Sequence, residues 1–196
     1  MKNVLVGLIL SGLMCAPILA YAQNNNKSTV VEEVTAPGGK TLYYILALPG
    51  KDSMDNPNME IGISLDQNKT FNVLLSSHPS DDPENNLTGF KKLTLSPDSK
   101  TLYFQADAWA VSDAVHALNL TTKKVSYVTD GEIACVILGG EYQGHLVVEQ
   151  HRYFVQGGSY DNLWLYDPKG KEIGLVSENT DASQACASLS PKVTIE

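Results

Sequence analysis

The chain has 196 residues and a formal charge of −8, from 14 basic and 22 acidic side chains. A surface this acidic excludes general nucleic-acid binding, because it offers no lysine- and arginine-rich patch to neutralise phosphates. The length suits one domain with a sizeable core and is short for two.

The N-terminus has the pattern of a secretory signal peptide over residues 1–22. Lys2 is followed by an apolar run at residues 4–14, and an A-x-A cleavage site occupies residues 20–22. The run is too short to span a bilayer, and no later stretch reaches a spanning length. We therefore expect a periplasmic or secreted protein that does not insert into the membrane.

Two cysteines, Cys135 and Cys186, follow the predicted signal peptide. An even pair in an exported chain predicts a disulfide, with two buried free thiols as the alternative. The bridge would close a loop of about 50 residues and stabilise the fold by about 4 kcal/mol in the chain-entropy model. It would also fasten a C-terminal tail that otherwise shows little structural pattern.

The rest of the chain alternates short β-strand patterns with turns rich in Gly, Pro, Asn and Asp, which predicts an all-β fold. A turn, a lysine and an aromatic strand occur at residues 37–44 (PGGKTLYY) and again at 97–104 (PDSKTLYF). A second element, made of a strand, a polar turn and a strand, occurs at residues 61–75, 115–129 and 163–177. These repeats predict three units of about 50 residues, the size of propeller blades.

Residues 93–104 (LTLSPDSKTLYF) resemble the SPDGK-LYF signature of β-propeller repeats of the Tol-Pal translocation protein type. Residues 117–124 (ALNLTTKK) resemble the strand that follows this signature in those repeats. Three units are fewer than the four or more blades of closed propellers, so we expect an open, propeller-like stack of antiparallel meanders. We assign it to a single domain at residues 37–196, preceded by a loose lead-in at residues 23–36.

The layout is also similar to a second family, the periplasmic immunity proteins that neutralise type VI secreted peptidoglycan amidases. The shared features are a small exported precursor, propeller-like sheets, cysteines and a long loop in the middle blade. In that family a loop between blade strands enters the effector's active-site cleft and places a serine against the catalytic histidine. The corresponding segment here is residues 105–114 (QADAWAVSDA), which contains Ser112.

Three predicted loops, at residues 48–60, 105–114 and 156–162, fall on the same rim of the stack. Loops on a rigid β scaffold commonly carry binding residues, and Trp and Tyr are enriched at binding hot spots. Trp109 and Tyr160 are therefore candidate partner-binding residues. The alternative for Trp109 is that its ring folds back and caps the core.

His145, Glu149 and His151 are separated by four and then two residues along one predicted strand, so alternation places their side chains on one face. A carboxylate beside two imidazoles is a donor set for zinc or non-haem iron. The alternative is a solvated polar face, which we favour because no further His or Cys cluster completes a site. We expect no cofactor.

The sequence contains no G-x-S-x-G elbow, no H-E-x-x-H pair and no phosphate-cradling glycine loop, so we expect a protein that is not an enzyme. The leading hypothesis is an inhibitor of a secreted cell-wall hydrolase, with a basic enzyme as its partner. Trp109 would be the apolar anchor of the inserted loop, Ser112 its hydrogen-bonding tip, and Asp107 and Asp113 its steering charges. The alternatives are an envelope scaffold or small-ligand binder that inhibits nothing, and a metal-dependent enzyme.

Overall fold

The computed structural model describes residues 28–51, 55–65, 70–178 and 181–190. The predicted signal peptide and the first residues of the predicted lead-in lie outside these ranges. Within them the chain forms twelve strands and one helix, and the strands form three four-stranded antiparallel sheets. No helix of the described residues is long and apolar enough to cross a membrane.

Each sheet is a meander in which consecutive strands pair, and we call the sheets blades 1 to 3 in chain order. Blade 1 contains β1 (Thr29–Thr35), β2 (Leu42–Lys51), β3 (Pro57–Ser64) and β4 (Asn72–Ser76). Blade 2 contains β5 (Lys91–Leu95), β6 (Thr101–Trp109), β7 (Ser112–Asn119) and β8 (Val125–Asp130). Blade 3 contains β9 (Glu132–Val136), β10 (Leu146–Tyr153), β11 (Ser159–Tyr166) and β12 (Glu172–Ser177), and helix α1 (Ala182–Leu189) follows it.

The blades stack side by side with their first strands together, because β5 contacts both β1 and β9. Blade 2 lies in the middle, and blades 1 and 3 form the two ends of the stack. This arrangement confirms the prediction of an all-β, propeller-like stack of three antiparallel blades that does not close into a ring.

Two apolar cores join the blades. The core between blades 1 and 2 is built mainly from aromatic and long aliphatic side chains, among them Tyr43, Ile45, Ile61, Phe90, Leu102 and Phe104. The core between blades 2 and 3 contains smaller, mostly aliphatic side chains, among them Val115, Val128, Ile133, Leu146 and Val148. Full burial of each large apolar side chain stabilises the fold by roughly 1.5–3 kcal/mol, so the interfaces between blades supply most of the hydrophobic stabilisation.

Helix α1 covers the far face of blade 3. Its N-cap is Asp181, whose carboxylate accepts a hydrogen bond from the Gln184 backbone N–H at 3.3 Å. Ala185 is buried in a third core with apolar side chains of blade 3. Cys186 forms the predicted disulfide with Cys135 of β9. The tail shows little pattern in the sequence because an eight-residue helix depends on tertiary contacts and not on its own propensity.

Blade 1 shields its far face with its own aromatic side chains. The Tyr44 ring lies over Gly62, where an added Cβ would come within 2.2 Å of the phenol oxygen. Phe71 meets the Tyr44 ring edge-on at 4.8 Å, and the hydroxyl donates to the Asn72 carbonyl at 3.4 Å. Tyr44 is therefore only 1% exposed, although alternation turns it away from blade 2.

The prediction of a loose lead-in through residue 36 is wrong for residues 29–35, which form β1. Glu32 and Glu33 break the apolar alternation there and conceal the strand pattern. The Glu32 carboxylate has a structural use, because it accepts a hydrogen bond from the Leu93 backbone N–H of blade 2 at 3.0 Å. An acidic side chain thus helps to join β1 to the next blade.

His116 is buried in blade 2 between two aromatic rings. Its imidazole stacks on Phe104 at 5.3 Å and meets Tyr127 edge-on at 6.0 Å. The side chain is 1% exposed, and among the described residues neither ring nitrogen has a hydrogen-bond partner. Burial lowers the pKa of His116 to about 4, because the charged imidazolium would lose its hydration.

We predict that mild acid destabilises the fold through His116. Between about pH 6.5 and pH 4 the unfolded chain binds a proton at this imidazole and the folded chain does not. The free energy of unfolding therefore decreases as the pH is lowered, by about 3 kcal/mol between about pH 6.5 and pH 4. His116→Leu should remove this slope, and urea unfolding across that pH range measures it. The exposed His78, changed to Gln, is the control; a His116→Leu protein with the parent's slope would contradict the prediction.

The disulfide should hold α1 on blade 3. The double change Cys135→Ser and Cys186→Ser should lower the free energy of unfolding by about 3–4 kcal/mol, because the bond joins residues 51 apart in sequence. Calorimetry measures the stability, and amide hydrogen exchange of residues 182–189 shows where the structure loosens. Unchanged protection of those amides in the variant would mean that packing alone holds the helix.

Candidate functional site

The segment expected to be a long loop in blade 2 is a hairpin. β6 and β7 continue to a turn at Ala110 and Val111, and Trp109 pairs directly with Ser112. The prediction of a loop over residues 105–114 is therefore wrong, because the backbone pairing of the two strands extends almost to the tip. The pairing is irregular between Ala106 and Trp109, so Trp109 and Ser112 form a paired end beyond a bulge in the hairpin.

The other two predicted loops are also shorter than expected. In blade 3, β10 ends at Tyr153 and β11 begins at Ser159, so only residues 154–158 connect them. In blade 1, β2 extends to Lys51 and β3 begins at Pro57. Tyr160 lies in β11 opposite Arg152, so it too is held by strand pairing.

A cleft of about 780 Å³ separates the hairpin ends of blades 2 and 3. Four aromatic side chains line it: Trp109, Tyr127, Tyr153 and Tyr160. The polar side chains that line it are Ser112, Asp130, His151 and Arg152. Three of the predicted partner-binding residues, Trp109, Ser112 and Tyr160, thus meet in one cleft. The predicted metal candidate His151 lines the same cleft.

Apolar side chains at the tips of both hairpins face solvent. We call this set the apolar rim, and it consists of Trp109, Val111, Tyr153, Phe154 and Val155. Their exposed fractions run from 40% for Trp109 to 101% for Val155. Phe154 also packs on Tyr160, with 4.6 Å between ring centroids, so the rim continues into the cleft wall. Trp109 does not fold away into the core, the alternative that its sequence left open.

Hydrogen bonds between blades fix the floor of the cleft. The Gln150 side chain of β10 reaches across to β8, where its Nε2 donates to Thr129 Oγ1 at 2.8 Å and to Asp130 Oδ1 at 2.7 Å. Its Oε1 accepts from the Tyr166 hydroxyl at 2.8 Å. Gln150 is 2% exposed, so these bonds are shielded from water and hold the two blades at a fixed separation.

The guanidinium of Arg152 is satisfied within blade 3. It lies 3.6 Å above the centre of the Trp164 ring and donates hydrogen bonds to Glu172, Tyr166 and Gln150. Partial burial lowers the pKa of Arg152, but the hydrogen bond to Glu172 leads the interactions that raise it overall. The positive charge that Arg152 brings to the cleft wall is thus balanced by a carboxylate of its own blade.

Asp107 and Asp113 lie at the base of the blade 2 hairpin and share Lys91. The Lys91 Nζ is 3.0 Å from an Asp107 oxygen and 2.9 Å from an Asp113 oxygen. Partial burial lowers the pKa of Lys91, but its hydrogen bonds to Asp113 and Asp107 outweigh this and raise it. Gln105 extends the network, because it donates to Asp113 at 2.7 Å and accepts from the Ile133 backbone N–H at 2.9 Å. Asp107 and Asp113 therefore help to hold the base of the hairpin together. Their role in steering a partner stays a prediction.

The segment before β5 supports the same hairpin. Gly89 has a φ of +61°, and an added Cβ would lie 1.9 Å from an Asp107 carboxylate oxygen. Asn86 donates from its side chain to the Asp107 carbonyl at 2.7 Å. Asp107 is therefore held on both its main chain and its side chain, which only glycine at position 89 permits.

The three metal candidates are not brought together as a site. His151 Nδ1 is 2.7 Å from Asp161, whereas His145 precedes β10 and packs edge-on against Tyr142 at 5.5 Å. Glu149 lies opposite Glu132 in the sheet, and partial burial followed by the charges of Glu132 and Asp161 raises its pKa. Among the described residues no group of three His, Cys, Asp or Glu side chains is placed to hold a metal ion.

No protein-family model and no curated protein matches the chain. Among solved structures it is similar to TolB from Acinetobacter baumannii, with 14% identity and a TM-score of 0.49, over 74% of this chain and 31% of that one. It is also similar to the β-propeller domain of the trilobed protease from Pyrococcus furiosus, with 10% identity and a TM-score of 0.39, over 75% of this chain and 57% of that one. This chain spans less than two thirds of either structure. Neither bears on the resemblance to immunity proteins, which remains a prediction.

Four residues of the cleft could not be recognised from the sequence: Tyr127, Asp130, Arg152 and Tyr153. Tyr127 and Asp130 lie in β8, which belongs to the same blade as Trp109 but is separated from its strand by β7. Arg152 and Tyr153 lie in β10 of blade 3 and reach the cleft where the two blades approach. The signal that was available is local: Tyr153-Phe154-Val155 is an apolar run placed at a hairpin tip, where polar residues are usual.

Loss of the central cation should loosen the hairpin base. We predict that Lys91→Met lowers the free energy of unfolding by about 1 kcal/mol at pH 7, because the carboxylates of Asp107 and Asp113 are left facing each other. Chemical unfolding at pH 7 measures the loss. Lys92→Met removes the same charge from an exposed neighbour, and an equal effect from that control would contradict the assignment.

Proposed function

We propose that this protein is an exported, non-enzymatic binding domain that recognises a protein partner through the apolar rim and the cleft behind it. The observation that carries the proposal is the apolar rim itself: five large apolar side chains exposed together on two adjacent hairpins. Such a contiguous exposed patch is typical of an interaction surface, whereas scattered exposed apolar residues need no explanation. Trp and Tyr at its centre are the residue types most enriched among binding hot spots.

The rim is suited to binding because strand pairing and hydrogen bonds between blades hold its base in place. Trp109 pairs with Ser112 beyond an irregularity in the β6–β7 ladder, and the network through Gln150 joins blades 2 and 3. A preorganised surface loses little conformational entropy on association, so more of the interaction energy appears as affinity. The disulfide between Cys135 and Cys186 is the kind of cross-link that persists in oxidising compartments, which supports export.

We infer a specific mode of action, inhibition of a secreted cell-wall hydrolase, from the resemblance to immunity proteins. In this mode the β6–β7 hairpin enters the partner's active-site cleft with Trp109 as the apolar anchor and Ser112 close behind. The formal charge of −8 favours a basic partner through long-range attraction. Lys91 compensates one of the two negative charges of Asp107 and Asp113, so most of that attraction belongs to the surface as a whole.

The test is capture followed by inhibition. The purified protein without its predicted signal peptide is immobilised and exposed to extracts of the cell envelope and of secreted proteins. The partner that it captures is then purified. Trp109→Ala with Val111→Ser should weaken the purified complex by at least about 30-fold, since truncation of a hot-spot residue costs about 2 kcal/mol or more. Peptidoglycan digestion by the partner should stop with the wild-type protein and continue with the variant.

Leu138→Ser is the matched control, because Leu138 is 68% exposed in the β9–β10 connection on the opposite rim. Binding that survives the rim variant but is lost with the control would place the interface elsewhere and end the proposal. A partner that binds through the rim and keeps full hydrolytic activity would leave a binding domain that scaffolds without inhibiting.

A further inference from the structure

We propose that the cleft between the hairpins of blades 2 and 3 receives a lysine or arginine side chain from the protein partner. This inference rests on the proposed function and specifies the partner's chemistry: a basic side chain flanked by apolar residues that meet the rim. It follows from the charges and the aromatic side chains that line the cleft.

The charges around the cleft favour a cation over an anion. Among the described residues that line it, Arg152 carries the positive charge, and its pairing with Glu172 over the Trp164 ring reduces the positive potential that it adds. His151 is paired with Asp161 at 2.7 Å. Asp130 has no ion-pair partner among the described residues; its Oδ1 accepts only the neutral Gln150 amide and the Thr129 hydroxyl. The cleft is therefore negative, and an anionic ligand would meet repulsion.

Aromatic side chains form much of the cleft wall. Trp109, Tyr127 and Tyr160 line the same cleft as Asp130, and aromatic faces carry the negative part of the ring quadrupole. Tyr127 and Asp130 both line the cleft, and burial, followed by the charge of Asp130, raises the pKa of the Tyr127 phenol. A cation between aromatic faces and a carboxylate gains both cation–π attraction and a charge-assisted hydrogen bond.

The Asp130 carboxylate is held in place before a partner binds. The Asp130 backbone carbonyl and its carboxylate are both held by Gln150, which is nearly fully buried. The acceptor is thus fixed in place by the same side chain that sets the distance between the blades. The apolar rim surrounds the opening, so a partner that covers the rim also excludes water from the charged contact and strengthens it.

The experiment needs no identified partner. The ¹⁵N-labelled protein, in the form that cells process, is titrated with acetyl-Ala-Arg-Ala-amide and with the same peptide carrying citrulline, a neutral isostere of arginine. The titration runs to about 10 mM, which covers millimolar dissociation constants. We expect the arginine peptide to shift the Trp109 indole and the amides of Tyr127, Asp130 and Tyr160. The citrulline peptide should bind at least about fivefold more weakly.

Asp130→Asn should weaken the arginine peptide by about fivefold to tenfold and leave the citrulline peptide unchanged. Glu141→Gln removes the same charge from an exposed position on the opposite rim and should have no such effect. Equal binding of the two peptides, no shifts at the cleft, or equal effects of the two variants would overturn the inference. Shifts produced instead by N,N′-diacetylchitobiose would make the cleft a sugar site and overturn it as well.

The two proposals fail separately. If the purified partner loses affinity for Trp109→Ala with Val111→Ser but binds Asp130→Asn as tightly as wild type, the rim is the interface and the cleft does not take a cation. If the peptide results are as expected while the rim variant still binds the partner, the cleft takes a cation and the rim proposal is wrong.

Discussion

A four-stranded sheet has two faces and cannot bury either without a neighbour, and the rest of this structure depends on how each face is covered. Blade 2 has a blade on either side. Blade 3 has blade 2 on one face and α1 on the other, cross-linked through Cys135 and Cys186. Among the described residues, blade 1 has one neighbouring blade and turns the Tyr44 and Phe71 rings across its far face. The described part of the chain therefore forms a three-blade stack that does not close into a ring.

The same packing creates the candidate site. Blades 2 and 3 meet through an apolar core of small side chains and through Gln105 and Gln150, two buried amides that reach across the junction in opposite directions. Above this junction the hairpin ends diverge and leave the cleft, with Trp109 on one wall and Tyr160 on the other. A buried amide that loses its hydrogen-bond partner destabilises the fold. The hydrogen bonds of Gln105 and Gln150 therefore hold the two walls of the cleft at a defined distance.

The repeat made the architecture predictable, because the turn-lysine-strand element is local and recurs in spacing as well as in composition. What could not be predicted depends on contacts between blades. Glu32 conceals β1 until its hydrogen bond to Leu93 is known, and the hairpin of Trp109 resembles a loop until its pairing is seen. Tyr160 and Trp109 were predicted from their residue type and from their place in loops on one rim, whereas Asp130 gains significance only from the blade opposite it.

The placement of charge distinguishes the parts of the hairpin that bind from those that support. Asp107 and Asp113 share Lys91, so one of their two negative charges is compensated within the hairpin and one remains at its base. Arg152 is paired with a carboxylate of its own blade. Burying a charge without a partner is costly, so these ion pairs lower the cost of desolvating the surface around the rim. The apolar rim can then supply affinity, and the carboxylate of Asp130, which lacks an ion-pair partner among the described residues, supplies discrimination for a cation.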